Sequence, residues 1–458
     1  ILTNIDNFVW GVPLMVIILA GGILLTLRLK GLQLCRLPLA LKWMVRNEEG
    51  GKGEISSFAA LCTALSATIG TGNIAVCAGG PGALFWMVIT AFFGMATKYS
   101  EGFLAVKYRI VDKKNHSLGG PFYYIELGMG EKFKWLAKIF AFFGVCVGLF
   151  GIGTFSQVNG ISSAIQNFFD PDKVHTVSIP GIGTYSWTVV IASLILAFCV
   201  GAVLIGGIKR IASVSQIIVP FMAIIYFVFA LTLVVCNITK IPEAVVIIVK
   251  AAFNPQAVAG GITGSMLVAM QKGVARGIFS NEAGLGSAPI AAAAAQTHEP
   301  VRQGLVSMTG TFIDTIVICT MTGLSIVLTG AWKVDGLEGV QVTTYAFKNG
   351  LPFPAELSAF ILMLCLVFFA FTTILGWDYY SERCLEYLTG GNMKKVKVFR
   401  WIYILAVFIG PYMTVSAVWV IADIFNGLMA IPNIIALFVL SGIVAKETKD
   451  YFDEKKKQ

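Results

Sequence analysis

The sequence predicts an all-α polytopic membrane protein with eleven transmembrane helices: one N-terminal helix, then a five-plus-five inverted repeat that contains two broken helices. The first observation behind this prediction is composition, because 57% of the 458 residues are hydrophobic and only 13% are charged. Soluble domains carry about 25% charged residues. The second is the position of the basic residues, and the third is a pair of glycine-rich polar interruptions inside apolar segments.

The apolar segments give the number of spans. A helix that crosses a bilayer needs roughly 20 mostly apolar residues. Eleven segments meet this criterion: 8–29, 57–78, 82–108, 135–168, 187–205, 211–235, 258–295, 304–329, 357–388, 398–420 and 425–445. The predicted domains are an N-terminal helix with a cytoplasmic amphipathic segment, two five-helix repeats and a charged cytoplasmic tail: 1–55, 56–256, 257–445 and 446–458.

The basic residues give the orientation. With the N-terminus outside, 27 of the 34 Lys and Arg residues, Lys98 among them, fall at cytoplasmic positions, 5 fall in external loops, and Lys272 and Arg276 lie inside a span. Cytoplasmic loops of membrane proteins are enriched in basic residues, so this bias predicts an outside N-terminus and a cytoplasmic C-terminus. An odd number of spans is required, and eleven satisfies it. We expect the tail, Lys455 to Lys457, to contact lipid headgroups.

Several function classes are disfavoured by what the sequence lacks. The net charge of +9 is explained by topology, so no nucleic-acid partner is expected. The nine cysteines form no CxxC pair, and the three histidines lie in loops, which disfavours a metal centre. No phosphate-binding loop or hydrolase motif is present, so we predict neither an enzyme nor an organic cofactor.

The sequence SATIGTGNIA at residues 66–75 interrupts the second apolar segment with two glycines, three hydroxyl residues and an asparagine. Non-helical backbone at membrane depth is tolerated only where it lines a protein-bounded cavity. Exposed N–H and C=O groups there can hold a carboxylate and a small cation, as in transporters with broken helices. Packing alone explains isolated glycines such as Gly148, but not glycines beside Thr71 and Asn73.

A second interruption is predicted five spans later, where MQKGVARG occupies residues 270–277. Matching breaks in two halves indicate an inverted repeat with a binding site near the membrane midplane. Five spans per half is an odd number, so the halves have opposite orientations. Met270 and Gln271, at the start of this interruption, are therefore predicted to face the substrate.

Other polar residues inside spans are candidates for the same site. Thr372 and Thr373 offer adjacent hydroxyls that suit a sodium ion, with carbonyls near Ser66 and Ile69 supplying further oxygens; back-bonding to the helix is the alternative. Trp377 lies one turn from Thr373 and would limit the size of a pocket, unless it is an interfacial anchor.

Gln157 suits an amino-acid head group because its amide both donates and accepts hydrogen bonds, although an interhelical hydrogen bond is nearly as good an explanation. Asp314 is a carboxylate inside a span, and such groups are functional candidates. It would tune a cation site, carry a proton, or pair with Lys272 or Arg276, and the pair is favoured slightly. Glu282 is expected to join an intracellular gate with basic residues.

Three long strings resemble the alanine or glycine:cation symporter family of prokaryotes, which includes sodium:alanine symporters. They are GTGNI at 70–74 followed by GGPGALFWM at 79–87, GVARGIFSNEAGLGSA at 273–288, and the stretch 372–386. The likeness runs over nearly the whole chain, and the wider fold resembles the leucine-transporter type. One local departure is VCA at 76–78, where small residues with a Gly or Ala are expected.

The resemblance implies a sodium-coupled importer of a small neutral amino acid, alanine or glycine, in a prokaryotic inner membrane, expected to be monomeric among its lipids. It implies a sodium site at Ser66, Ile69, Thr372 and Thr373. The complete set of predicted substrate residues is Gly70, Thr71, Gly72, Asn73, Gln157, Met270, Gln271, Thr373 and Trp377. Alternatives are a sodium- or proton-coupled transporter of a larger amino acid such as glutamine, and an ion channel.

Overall fold

The chain is almost entirely helical. The computed structural model describes every residue except 1–4, 6–8, 47, 49, 75–79, 114–115, 180–182, 255–265, 338, 414 and 456–458. The first α-helices are α1 (Val12–Arg28), α2 (Leu32–Cys35), α3 (Leu37–Val45), α4 (Ser57–Thr68), α5 (Thr71–Ile74), α6 (Pro81–Lys107), α7 (Pro121–Tyr123), α8 (Lys134–Phe150), α9 (Phe155–Phe169), α10 (Trp187–Leu204), α11 (Gly207–Cys236) and α12 (Ile241–Phe253). The remaining α-helices are α13 (Met266–Asn281), α14 (Ala288–Ala292), α15 (Pro300–Thr311), α16 (Thr320–Thr329), α17 (Val340–Gly350), α18 (Ala355–Leu388), α19 (Met393–Ile409) and α20 (Val415–Lys455).

Irregular helical turns and two short hairpins complete the described structure. π-helical turns occupy Tyr124–Gly128 and Phe312–Cys319, and 3₁₀ turns occupy Glu131–Phe133, Ile238–Lys240, Ala331–Lys333 and Gly410–Tyr412. The antiparallel strands are β1 (Ile110–Val111) with β2 (Ser117–Leu118), and β3 (Thr176–Ile179) with β4 (Gly183–Ser186).

The helices have the length and surface of membrane spans. Among the described residues, seven helical segments are long and apolar enough to cross a bilayer, and α1 and α4 are shorter apolar helices. Large apolar side chains such as Phe198 on α10 and Phe221 on α11 are exposed. Exposed apolar side chains of this kind, on helices long enough to cross a bilayer, match a lipid environment. The predicted class of polytopic helical membrane protein is confirmed.

The first predicted break is present. Helix α4 ends at Thr68, Ile69 is extended with a ψ of 94°, and a single turn, α5, follows Gly70. The end of the predicted span 57–78, including the VCA segment and Gly79, lies outside the described residues. The predicted start of span 258–295, the boundary at 256/257, and Lys456 and Lys457 also lie outside them.

The second break exists, but its predicted position was wrong. Residues 270–277 lie within the continuous helix α13, and the helix is interrupted only after Asn281, before α14. A Cβ on Gly273 would lie 2.4 Å from Ala83 O, so this glycine allows α13 to approach α6 closely. The chain turns instead where Glu282, Gly284 and Gly286 adopt φ angles of 56°, 91° and 82°.

Other boundaries also differ from the prediction. The segment 135–168 forms two helices, α8 and α9, because the chain bends through residues 151–154. Helices α12 and α17 were not predicted; they are 13 and 11 residues long, below the length criterion for a span. Lys98, counted above as cytoplasmic, is buried within α6.

Helices distant in sequence pack against one another. Helix α6 packs against α15, α18 packs against both α8 and α9, and α10 packs against α19. Helix α11 contacts α18, and α20 contacts α8. The single turn α5 contacts α13, the π-helical turn 312–319 and α18. Gln157 of α9 also reaches this break.

Candidate functional site

The break at Ile69 and Gly70 is held open by the side chain of Asn73. Its Oδ1 accepts a hydrogen bond of 2.9 Å from Gly70 N, which would otherwise donate within a helix. A Cβ on Gly70 would lie 2.9 Å from Thr373 Oγ1 and 3.1 Å from Gln157 Oε1. Because Gly70 has no side chain, the side chains of Thr373 and Gln157 can lie directly against its backbone.

The amide nitrogen of Asn73 binds a carboxylate. Nδ2 donates to Asp314 Oδ1 at 2.6 Å and lies 3.0 Å from Ser280 Oγ. Asp314 Oδ2 also accepts from Ser280 Oγ at 2.8 Å and from Thr315 Oγ1 at 2.6 Å. The favoured pairing of Asp314 with Lys272 or Arg276 was therefore wrong, because hydroxyl and amide donors surround this carboxylate.

Gln157 covers the other side of the break. Its Oε1 accepts a hydrogen bond of 3.3 Å from Thr71 N, and its side chain is buried. The bend before α9 brings it there, and that bend requires Gly153, whose added Cβ would lie 2.6 Å from Trp377 Cβ. The structure thus brings Gly70, Thr71 and Gln157 together.

Oxygen atoms from α4 and α18 meet next to the break. The Thr373 hydroxyl lies 3.3 Å from Ile69 O and 2.9 Å from Phe369 O. Ser66 lies against Gly376, because a Cβ on that glycine would be 2.9 Å from Ser66 Oγ. Thr372 is on the adjacent face of α18, where its hydroxyl is 3.8 Å from Met222 Sδ.

Phe279 and Ser280 bring α13 to the break. A Cβ on Gly72 would lie 3.0 Å from the Phe279 ring, and Ser280 bonds both Asn73 and Asp314. Met270 and Gln271 lie on the same helix, eight or more residues earlier, which is about 12 Å along its axis. Among the described contacts, none brings these two predicted residues to the break, because residues 270–277 are helical rather than unwound.

Trp377 links α18 to the second break. Its indole N–H donates to Glu282 Oε1 at 3.1 Å, and Ser287 donates to the other carboxylate oxygen. Trp377 is fully buried, so it is not an interfacial anchor. Glu282 was expected to pair with basic residues of an intracellular gate; its hydrogen-bond partners among the described residues are instead Trp377 and Ser287.

A large cavity leads to the first break. Its volume is about 960 Å³, and its walls include Thr71, Asn159, Arg276, Lys173 and Lys348. The described lining residues carry three basic side chains and no acidic one. The cavity therefore extends from Thr71, at the glycine break, to α17, and its charge favours anionic groups.

A charged cluster ties together three segments near the C-terminal end of α18. His116 Nε2 lies 2.9 Å from Glu386 Oε1, and its Nδ1 lies 3.4 Å from Glu54 Oε1. Arg383 donates to both carboxylates, at 2.9 Å to Glu54 and 2.8 Å to Glu386. The hydrogen bonds to Glu386 and Glu54 raise the pKa of His116 to about 9.

Sequence reasoning missed several residues of the site. Phe279 and Ser280 were read only as part of a resemblance. Glu101, whose Oε1 accepts hydrogen bonds from Gly284 N and Gly286 N in the second break, was not considered. A carboxylate inside the span 82–108 was the signal that could have identified Glu101 as a candidate. No group of three or more His, Cys, Asp or Glu side chains that could hold a metal ion occurs among the described residues.

Comparison with known proteins places the chain among transporters. A profile of the "Sodium:alanine symporter family" matches residues 1–458. The chain is 54% identical to an uncharacterized transporter of Haemophilus influenzae over 462 residues, covering 100% of this chain and 96% of that protein.

Two relatives carry functional names. The chain is 45% identical to the sodium/alanine symporter AgcS of Methanococcus maripaludis, covering 100% of this chain and 98% of that protein. It is 39% identical to the probable sodium/glutamine symporter GlnT of Bacillus subtilis, covering 98% and 92%. The chain therefore belongs to the sodium:alanine symporter family of multi-pass membrane transporters.

Proposed function

We propose that this chain is a secondary active transporter that imports a small neutral amino acid, alanine or glycine, together with sodium by alternating access. The observation that carries the proposal is the break at Gly70, where bare backbone lies between Gln157 and Thr373 beside a cavity of about 960 Å³. The name of the 45% identical relative agrees with this substrate.

The substrate carboxylate would bind at the backbone of residues 70–72, where Gly70 N and Thr71 N donate to the Asn73 and Gln157 side chains rather than to helix carbonyls. Gln157 and Trp377 would shape the pocket. Space near the break supports a small side chain, since the Phe279 ring lies 3.0 Å from a Cβ position on Gly72. Asn73 would affect substrate binding indirectly, by fixing the backbone conformation at Gly70, because its side chain already bonds Gly70 and Asp314. Glutamine remains the alternative, supported by the name of a 39% identical relative.

Sodium would bind where α4 meets α18. Small hard cations prefer oxygen ligands. The Thr373 hydroxyl lies 3.3 Å from the Ile69 carbonyl, and the Ser66 hydroxyl lies against Gly376 on the same helix, α18. Thr372 would supply a fourth oxygen. A cation there would join α4 to α18, so its binding favours one arrangement of these helices.

Alternating access is supported by the packing of the two halves. When 57–236 and 266–455 are each numbered as five crossings, with the broken helices first, corresponding helices pack together: α6 with α15, α8 and α9 with α18, and α10 with α19. The fifth crossing of each half also contacts the third crossing of the other half: α11 contacts α18, and α20 contacts α8. We propose eleven crossings and an inverted repeat on this basis.

We further propose that the N-terminus is outside and the C-terminus cytoplasmic. The cavity then opens outward, and the His116 cluster closes the cytoplasmic side. Labelling with a membrane-impermeant maleimide in whole cells tests this orientation. In a cysteine-free background, Ser163→Cys on the cavity wall should react from outside, and Asp112→Cys in the β1–β2 hairpin should not; the reverse pattern would reject it.

Transport is tested in proteoliposomes with purified protein. Labelled alanine should accumulate only with an inward sodium gradient, and excess glycine should compete more strongly than glutamine. Uptake that proceeds equally well without a sodium or proton gradient would reject symport. Stronger competition by glutamine would favour the alternative substrate, and single-channel currents would favour an ion channel.

A further inference from the structure

Glu282 is a buried residue with an unusual backbone conformation. Its φ angle is 56°, and its surface is 0% exposed. The other described residues that have a positive φ and are not glycine, Lys30 and Lys173, are both exposed. Such a conformation is strained for a residue with a side chain, and strained buried residues cluster at functional sites. Glycine would adopt this φ without strain, so a carboxylate at this position indicates a role for its side chain.

The turn around Glu282 is fixed by hydrogen bonds from two other helices. Glu101 Oε1 of α6 accepts from Gly284 N at 3.1 Å and from Gly286 N at 3.2 Å. Asn433 Nδ2 of α20 donates to Glu101 Oε1 at 2.7 Å and to Gly284 O at 2.9 Å. The backbone of the second break is therefore held in place, and the side chain of Glu282 projects from a defined point.

The carboxylate of Glu282 holds the indole of Trp377. Its Oε1 accepts from Trp377 Nε1 at 3.1 Å, and its Oε2 accepts from Ser287 Oγ. The Tyr380 ring packs edge to face against the indole, with 5.5 Å between the ring centroids. At the other end of the tryptophan, Gly153 leaves room for Trp377 Cβ. Because the indole N–H is a donor only, its bond to Glu282 selects one orientation of the ring.

Trp377 lies on the side of the proposed substrate site that faces away from the cavity. The residues of α18 that line the cavity, within 359–366, precede Thr373, whose hydroxyl lies beside Gly70. Trp377 follows Thr373 by one turn on the same face of α18. A substrate side chain that points away from the cavity would therefore meet the indole.

We propose that Glu282 is a positioning residue that fixes the indole of Trp377 as the wall of the pocket opposite the cavity and thereby sets the upper limit on substrate size. This inference rests on the proposed function, in which Trp377 shapes a pocket for alanine or glycine. With the hydrogen bond in place, the ring excludes one further methylene. Without it, the ring turns and the pocket accepts a larger neutral side chain, such as that of 2-aminobutyrate.

The test is a competition assay in proteoliposomes that take up labelled alanine in a sodium gradient. Unlabelled alanine and 2-aminobutyrate, which differ by one methylene, are the competitors. The ratio of their half-inhibitory concentrations measures size selectivity, and it does not change when affinity falls equally for both. A hydrophobic pocket discriminates one methylene by about tenfold or more, so we expect a ratio of this size in the unmodified protein.

Two variants of Glu282 differ by one methylene in reach. Glu282→Gln keeps an oxygen that accepts from Trp377, and its amide group donates to the Ser287 hydroxyl, which also accepts hydrogen bonds; the ratio should be retained. Glu282→Asn tolerates a positive φ but is too short to reach the indole, so the ratio should fall about tenfold. Glu282→Gly adopts this φ without strain and should lower the ratio equally, which covers the case in which the asparagine variant does not fold.

Trp377→Phe tests whether Glu282 acts through the indole. This variant removes the N–H donor, and its ratio should fall as in Glu282→Asn. The double variant Trp377→Phe/Glu282→Asn should show no further fall. Trp86→Phe is the matched control, because Trp86 Nε1 donates to Ala252 O over the same 3.1 Å outside the proposed pocket; its ratio should equal that of the unmodified protein.

Three results would overturn the inference while the proposed function stands. They are an unchanged ratio in folded Glu282→Asn or Glu282→Gly, an unchanged ratio in Trp377→Phe, and a further fall in the double variant, which would show that Glu282 acts independently of Trp377. Absence of sodium-driven alanine uptake by the unmodified protein would reject the proposed function, and the inference with it.

Discussion

Asn73 Nδ2 lies 2.6 Å from Asp314 Oδ1, and this hydrogen bond joins the first helix break to the π-helical turn at 312–319. The same asparagine accepts from Gly70 N through its Oδ1. The Asn73 side chain points toward Asp314, yet it also fixes the backbone at Gly70, where the proposed substrate binds.

Asn73→Ala should weaken alanine binding strongly while the protein stays folded. The substitution leaves Gly70 N and Asp314 Oδ1 without a buried partner, a cost of about 1–3 kcal/mol each. We expect a loss of affinity of tenfold or more, from about 1.4 kcal/mol per decade, measured by equilibrium binding of labelled alanine in sodium. Asn349→Ala, at an exposed asparagine that donates to Tyr345 O, is the control; equal affinities for the two variants would contradict the assignment.

Gly70→Ala should abolish binding for a steric reason. Its Cβ would lie 2.9 Å from Thr373 Oγ1 and 3.1 Å from Gln157 Oε1, inside the space that the substrate needs. Gly21→Ala is the matched control, because its Cβ would meet Phe438 at 3.7 Å, an ordinary contact. Alanine uptake should be absent in the first variant and retained in the second. Retained uptake in Gly70→Ala would place the substrate elsewhere.

Thr373→Val should raise the sodium concentration for half-maximal uptake by about tenfold, if one oxygen ligand is worth about 1–2 kcal/mol. The shape of the side chain is kept, so only the hydroxyl beside Ile69 O is lost. Thr232→Val, whose hydroxyl bonds Val228 O within α11, is the control. An unchanged sodium dependence in Thr373→Val would exclude its hydroxyl from the site.

The His116 cluster should make stability depend on pH. The pKa of His116 is raised from the usual 6.5 to about 9 by its hydrogen bonds to Glu386 and Glu54. A raised pKa in the folded state stabilises fully below pH 6.5, and this stabilisation is lost as the pH rises through 9. The ring is partly exposed, so solvent screening limits the effect to roughly 1 kcal/mol.

His116→Gln removes this titration. Its Tm should fall below that of the unmodified protein at pH 6, and the two values should converge at pH 10. His298→Gln is the control, because that ring lies in an exposed loop and its Nε2 bonds Gly50 O. A constant difference between His116→Gln and the unmodified protein at every pH would contradict the assigned charge.

The first break was predictable because Gly70 and Gly72 beside Thr71 and Asn73 are incompatible with an ordinary membrane helix. The second was misplaced because glycine has two uses that look alike in a sequence. Gly273 permits the contact between α13 and α6, whereas Gly284 and Gly286 permit positive φ. Only the neighbouring helix distinguishes the two.

Local sequence by itself determined the membrane class, the first break and the family, because hydrophobicity, polar interruptions and long strings of residues are properties of the chain. Tertiary structure decided which residues the buried polar side chains bond. Asp314 bonds Asn73, Trp377 bonds Glu282, and Glu101 accepts from Gly284 N and Gly286 N. Such pairings depend on which helices far apart in sequence pack together. A buried polar or charged group must be hydrogen-bonded, and the fold decides which partners are within reach.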